Sequence, residues 1–356
     1  MGPSGKPLAA SHQNNFDLLR FVFAFIVFLY HAHVLSDRPE LAGLSRWLSA
    51  DFAVESFFVV SGFLVFMSYE KSASIRDYFA KRTRRIYPAY FAVVAAAALG
   101  GVLITTLPVN DYFSIGWLRY LAANLTFLNF FAPELPGLFQ GNAVHAVNGA
   151  LWTLKIEVMF YIAVPVIALV CARLGRWQVL AALYVLSVAY ALGMDYLARG
   201  TGRELFAQLG RQLPGQLSYF LAGAACYYFQ DVFGRYWRWG FLVGLAILLL
   251  PLPNTLYTVS EPAALGVFVT YLAIGARYLG NFGRYGDFSY GIYIIHFPVL
   301  QTLIALGVFR GNPYFAVGLA TVIVLAGAYA SWHLIEKPFL RKSSHYVVAE
   351  STLEQT

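Results

Sequence analysis

The chain has 356 residues, of which 59% are hydrophobic and only 12% are charged, about half the charged fraction of a typical soluble domain. This composition excludes an ordinary soluble domain and predicts an all-α, polytopic membrane protein. The two cysteines, Cys171 and Cys226, lie in apolar runs, which argues against a disulfide scaffold and against a metal site. The net charge of +7 is better explained by basic cytoplasmic loops than by a nucleic-acid partner.

Apolar stretches that are long enough to cross a membrane predict ten transmembrane helices. They cover residues 16–36, 50–70, 86–107, 150–173, 177–195, 213–230, 236–253, 260–279, 287–309 and 313–335. An even number of spans places both termini on one side. Seventeen lysines and arginines fall on that side and seven on the other, so the positive-inside rule predicts cytoplasmic termini.

The same pattern predicts three parts of the chain. Residues 1–15 form a polar cytoplasmic tail without a cleavable signal peptide, residues 16–341 form the ten-helix domain, and residues 342–356 form a second cytoplasmic tail. The domain includes an outer loop at 108–149. An aromatic-rich segment of this loop, 112–131, is interrupted by polar residues and is expected to lie at the membrane interface.

The first span carries two ionisable side chains, Arg20 near its start and His31 well inside. Eleven residues on an α-helix turn through ~1100°, so both side chains share a face, roughly 16 Å apart along the axis. Ionisable groups at membrane depth are costly and indicate function. Histidine also suits a general base because its ordinary pKa of ~6.5 lies near neutral pH. The alternative is a hydrogen-bonded core histidine.

The segment 71–85, read as a loop before the third span, is the most basic part of the chain. Arg82 and Arg85 lie three residues apart and would share a helix face. One interpretation is binding of lipid headgroups by a basic cluster beside the membrane. The other is a phosphate site, because a guanidinium can hold two phosphate oxygens at once.

Further polar residues occur inside the predicted spans. Glu157 lies in the fourth span at a depth of roughly 10 Å, which overlaps that of His31. It could orient an imidazole, or it could form a packing salt link. Tyr293 and His296 lie on the ninth span, and His296 is a second candidate for a polar path. In the second span, Ser61-Gly62 predicts close helix packing.

Six short sequence motifs occur along the chain. They are Arg20 with His31, ESFFVVSGFLV (55–65), the cluster from Arg82 to Arg85 before IYP, LWTLKIEVMFY (151–161), SYGIYIIHFPV (289–299) and IEKPF (335–339). Together they resemble the acyltransferase-3 family of integral-membrane acyltransferases, over residues 14–341. The resemblance implies ten membrane helices that transfer an acyl group, usually acetyl, from cytoplasmic acyl-CoA to sugar hydroxyls at the outer face.

The resemblance also implies roles for individual residues. They are catalysis for His31 and Glu157, binding of the phosphates of acetyl-CoA for Arg20, Arg82 and Arg85, and acceptor binding for Trp152, Tyr293 and His296. It implies a bacterial inner-membrane protein that contacts lipid, has a glycan or lipid-linked sugar as acceptor, and needs neither a metal nor a permanently bound cofactor.

Three alternatives stay open. His31 could be a general base in a ternary complex, or a nucleophile that forms an acetyl-histidine. Some family members carry a fused extracellular hydrolase-like domain, which is not expected here, so we expect that either this protein acylates its acceptor directly or a separate partner does. A transporter of an acyl donor or a lipid-linked sugar is the competing class. The acceptor sugar and the oligomeric state are open.

Overall fold

The computed structural model describes residues 13–340, and within this range the regular structure is helical, without a strand. The α-helices are α1 (Phe16–Ser36), α2 (Ala42–Trp47), α3 (Ala50–Glu70), α4 (Ile75–Gly100), α5 (Val109–Tyr112), α6 (Ile115–Leu125), α7 (Trp152–Leu174), α8 (Arg176–Thr201), α9 (Glu204–Gly210), α10 (Leu213–Tyr228), α11 (Gln230–Leu249), α12 (Asn254–Thr270), α13 (Ser289–Ala305), α14 (Pro313–Ser331) and α15 (Lys337–Phe339). The predicted tails lie outside the described residues, except for 13–15 of the first.

Eight helical stretches in the described part of the chain are long and apolar enough to cross a membrane. They are Phe16–Ser36, Pro39–Glu70, Ile75–Leu103, Gly149–Leu174, Arg176–Thr201, Gln230–Leu249, Asn254–Gly275 and Pro313–Phe339. The first predicted span and the second coincide with α1 and α3, residue for residue. The protein is therefore a multi-pass, all-α membrane protein, as the composition predicted.

The other two predicted spans, 213–230 and 287–309, correspond to shorter helices. Helix α10 has 16 residues and α13 has 17, which gives lengths of about 24–26 Å at 1.5 Å per residue. A hydrocarbon core of about 30 Å is somewhat thicker. The count of ten spans and the cytoplasmic position of both termini stay predictions.

Helix α4 differs from its prediction at its first residue. The segment 71–85 was predicted as a loop because it lies outside the apolar stretch 86–107, but α4 begins at Ile75 and continues through Pro88. Near this proline the Tyr290 hydroxyl donates a hydrogen bond to the Ile86 carbonyl (2.9 Å), which ties α4 to α13. The basic residues from Arg76 onward therefore lie on a helix.

The chain divides into two compact units that are built from alternating stretches. The first unit holds the described residues up to Arg20, Val54–Phe79 and Ile156–Phe282, and the second holds Phe21–Ala53, Ala80–Lys155 and the described residues from Gly283 onward. In the first unit α10 packs against α8 and α12, and in the second α13 packs against α14.

Two glycines bring α3 and α10 of the first unit into backbone contact. A methyl group added to Gly62 would lie 1.9 Å from the Phe220 carbonyl oxygen, and one added to Gly223 would lie 1.9 Å from the Val59 carbonyl oxygen. Small residues permit this approach where apolar helices pack in a membrane. The close packing predicted from Ser61-Gly62 is confirmed.

We expect Gly62→Ala to destabilise the protein, because the new methyl group must push two helix backbones apart. Overpacking of this kind costs about 1–3 kcal/mol. Gly193→Ala on α8 is the matched control, because nothing lies within 4 Å of its added methyl group and alanine favours the helix. Thermal unfolding in detergent measures both variants, and an equal midpoint for the two would contradict the prediction.

Candidate functional site

Two histidines from different helices meet in the second unit. His31 on α1 and His296 on α13 bring Nδ1 of the first within 3.1 Å of Nε2 of the second. Their ring planes are inclined by 24° and their centroids lie 5.2 Å apart, so the rings meet edge to edge. Phe297 lies against His31, and Phe28 lies against His296. His296 is fully buried, so two imidazoles form a hydrogen-bonded pair between aromatic rings.

Local contacts hold the α13 side of this pair in place. His296 Nδ1 lies 3.2 Å from the Ile292 carbonyl oxygen, one helical turn earlier. Tyr293 is also fixed, since its hydroxyl lies 2.7 Å from the Thr153 hydroxyl and donates to the Ala150 carbonyl (3.3 Å). The polar side chains predicted on the ninth span are therefore bonded within the protein.

Amide side chains attach the outer loop to α13, and the sequence reasoning missed them. The Asn142 amide donates to the Gln301 side-chain oxygen (2.8 Å), and Gln301 in turn donates to the carbonyls of Val144 (2.6 Å) and Ala146 (2.8 Å). Asn148 donates to a further carbonyl of α13 (2.8 Å). A glutamine in a mostly apolar helix was the available signal, because a buried amide needs partners.

Arg85 on α4 lies between two buried carboxylates. Its guanidinium donates to Glu336 (2.9 Å) and to Asp287. The carboxylates are 2% exposed and the arginine side chain 14%. The guanidinium carbon also lies 5.7 Å from the ring centroid of Tyr290 and 5.9 Å from that of Trp332. Arg85 therefore links α4 to the segments at the start of α13 and the end of α14.

The carboxylates of this cluster have further hydrogen-bond donors. Ser331 donates to Glu336 (3.0 Å), and the Ser289 backbone amide donates to Asp287 (3.1 Å). Glu336 lies in a π-helical turn, Trp332–Glu336. Such turns are rare and occur frequently at functional sites.

Gly286 forms the turn that brings Asp287 to Arg85. Its φ of +119° suits glycine, and a methyl group there would lie 2.2 Å from the Trp332 indole nitrogen. Residues with a Cβ rarely adopt this backbone region. The cluster thus depends on a glycine next to its acidic residue.

The other predicted phosphate ligands lie at different points. Arg82 is half-buried on α4, one turn before Arg85. Arg20 in the first unit pairs with Asp17 on its own helix. The start of this helix is anchored by Asn15, whose amide donates to the carbonyls of Leu272 (3.0 Å) and Arg277 (3.1 Å).

Glu157 in the first unit is bound by hydroxyl groups. One carboxylate oxygen accepts hydrogen bonds from Tyr161 (2.5 Å) and Ser61 (3.4 Å). Tyr161 is itself fixed, because its carbonyl accepts from the Tyr78 hydroxyl (3.1 Å). Neutral donors therefore solvate this carboxylate. Its catalytic role stays a prediction.

Trp152, a predicted acceptor ligand, is the first residue of α7 and is half-buried. One turn later, the Lys155 ammonium lies 4.7 Å from the ring centroid of Phe130 in the outer loop. A cation over an aromatic face is favourable, and this contact joins the start of α7 to the loop.

The comparison with protein families agrees with the motifs. A family model described as an acyltransferase domain, that of acyltransferase-3, matches residues 13–333, which is nearly the whole chain. This chain belongs to the acyltransferase-3 family. No solved structure matches it.

Three relatives of this acyltransferase-3 chain are informative. Nodulation protein 10 of Rhizobium leguminosarum bv. viciae is 29% identical, over 96% of each chain. An O-acetyl transferase of Shigella phage Sf6 is also 29% identical, over 94% of this chain and 98% of its own. The exopolysaccharide production protein ExoZ of Rhizobium meliloti is 27% identical, over 81% and 89%.

We expect Arg85→Ala to destabilise the second unit, because it leaves two buried carboxylates without their cation. Removing one partner of a buried ion pair costs about 3–5 kcal/mol. Adding Glu336→Gln to this variant should recover part of the loss, since it removes one unpaired charge. Arg84→Ala is the matched control, because Arg84 is exposed on the same helix. Thermal unfolding in detergent compares them. Equal midpoints for Arg85→Ala and Arg84→Ala would contradict the prediction.

Proposed function

We propose that this protein is a membrane O-acyltransferase that moves an acetyl group from cytoplasmic acetyl-CoA to a hydroxyl of a cell-envelope or secreted glycan at the outer side of the membrane. Membership of the acyltransferase-3 family supports the reaction class. The relatives named O-acetyl transferase and exopolysaccharide production protein support the group transferred and the acceptor. The structural observation that carries the proposal is the His31 imidazole, hydrogen-bonded between apolar helices.

The proposed reaction uses His31 as the general base. His31 takes the proton from the acceptor hydroxyl, and the hydroxyl oxygen attacks the carbonyl carbon of the thioester. The tetrahedral intermediate then collapses, and the carbon–sulfur bond breaks. The CoA thiolate leaves and takes up the proton from His31, which returns the imidazole to its starting state. The alternative is an acetyl-histidine, which requires two transfers.

We assign the donor phosphates to the basic face of α4. Arg82 lies in the second unit, the same unit as His31, and a guanidinium binds phosphate oxygens in a bidentate manner. Arg85 is already held by two carboxylates, so we assign it mainly to positioning α4. Arg20 stays a further phosphate candidate from the family motif. The excess of basic residues on the side of the predicted termini supports a cytoplasmic donor face, and we further propose that the protein lies in a bacterial inner membrane.

We further propose that Glu157 and Trp152 act in the reaction, Glu157 as a catalytic carboxylate and Trp152 in acceptor binding. Both belong to the family's Trp-x-x-x-x-Glu motif. The hydroxyl donors around Glu157 hold its side chain in a defined orientation, which supports this role.

We expect His31→Ala to abolish acetyl transfer, because loss of a general base lowers the rate by about 100- to 10,000-fold. The exposed His145 in the outer loop gives the matched control, His145→Ala. Mass spectrometry of glycans from cells with each variant measures base-labile acetate. Wild-type acetylation by a folded His31→Ala protein would contradict the mechanism. Movement of a donor or of a lipid-linked sugar without a new ester would instead indicate a transporter.

We expect Arg82→Ala to raise the KM for acetyl-CoA about tenfold with little change in kcat, because the arginine binds a part of the donor far from the reacting carbon. The assay follows transfer from labelled acetyl-CoA in lipid vesicles. Arg84→Ala, two residues from Arg82 and about 200° around the helix, serves as the comparison. An unchanged KM for Arg82→Ala would place the phosphate site elsewhere.

A further inference from the structure

We propose that His296 is a positioning residue that fixes His31 in the tautomer with its proton on Nδ1 and its lone pair on Nε2. The inference rests on the proposed function in one respect: the base that it prepares is the His31 of that reaction. It assigns to His296 a role that differs from acceptor binding.

The Ile292 carbonyl fixes the tautomer of His296. A carbonyl oxygen can only accept a hydrogen bond, so the contact of 3.2 Å between this oxygen and His296 Nδ1 requires a proton on Nδ1. A neutral imidazole carries one N–H. Its Nε2 therefore presents a lone pair.

The donor and acceptor atoms of His296 determine which nitrogen of His31 carries the proton. His296 Nε2 is an acceptor, and it lies 3.1 Å from His31 Nδ1, so His31 must donate through an Nδ1 proton. Neutral His31 then has its lone pair on Nε2, the ring nitrogen that does not face His296. The reverse arrangement would point a lone pair of His296 at the Ile292 carbonyl oxygen, which is repulsive.

Packing restricts the two rings to this arrangement. The His31 ring lies edge-on to Phe297 (5.4 Å between centroids) and Tyr30 (5.7 Å). His296 is enclosed by Phe28 and Tyr293 (6.4 and 5.9 Å). The phenyl rings of Phe297 and Phe28 offer no strong hydrogen-bond partner. The histidine pair thus forms a chain of hydrogen bonds with the Ile292 carbonyl, and this chain leaves the lone pair of His31 on Nε2.

For the reaction, this means that the base His31 is present in a single tautomer. A His31 with its proton on Nε2 would offer a donor to the acceptor hydroxyl and could not take its proton. In Ser-His-Asp hydrolases a buried carboxylate performs this task, and disturbing the tautomer there costs about 10,000-fold in kcat. Here a neutral imidazole performs it, so no buried charge is needed beside the base.

The experiment compares His296→Leu with His296→Gln. Leucine cannot accept the His31 proton, and glutamine can place its amide oxygen near the position of Nε2. We expect His296→Leu to lower kcat about 100-fold with an unchanged KM for acetyl-CoA, and His296→Gln to restore most of the activity. His145→Leu is the control for a histidine loss at an exposed position. A kcat for His296→Leu within about twofold of wild type would overturn the proposal.

Solid-state NMR of isotope-labelled histidine gives a readout that does not depend on activity. The His31 signals are assigned by their loss in His31→Ala. We expect wild-type His31 to show only the Nδ1-protonated form, and His296→Leu to show a mixture of tautomers. An unchanged tautomer in His296→Leu would overturn the proposal. If His31→Ala kept full activity, the proposed function of His31 would fail, and the NMR result would still decide the role of His296.

Discussion

The structure depends on one constraint, which is that a polar side chain between apolar helices must have a hydrogen-bond partner. Leaving such a group without a partner costs several kcal/mol in a membrane. His31 meets the constraint with His296, Arg85 with two carboxylates, and Glu157 with two hydroxyls. Each of these three groups is therefore held in a defined orientation by the bonds that allow its burial.

Helix α13 collects most of these bonds in the second unit. Just before its first residue, Asp287 binds Arg85. Near its last turn, Gln301 binds Asn142 and two carbonyls of the outer loop. His296 lies between these two points, on a helix that is fixed on both sides. A short helix of 17 residues can thus give a precise position to its imidazole, although its apolar surface is smaller than that of the longer spans.

The sequence predicted the helical membrane fold, α1 and α3, and the close packing at Gly62, because all of these follow from local composition. It also identified His31 and His296 as separate candidates. It could not predict their pairing, since 265 positions separate them and no periodicity relates one helix to another. The pairing of Arg85 with Asp287 and Glu336 could not be predicted for the same reason. The predicted start of α4 was wrong because the charged residues before Ile86 lie outside the apolar stretch from which the span was predicted, although they continue the same helix.

The glycine contact between α3 and α10 restricts the path of any substrate through the first unit. At Gly62 and Gly223 the two backbones are too close even for a methyl group. No acyl chain, pantetheine arm or sugar can pass between these helices at that level, and water is excluded as well. A donor or an acceptor that enters the protein must therefore pass along other helix faces, because the contact between α3 and α10 is closed at this level.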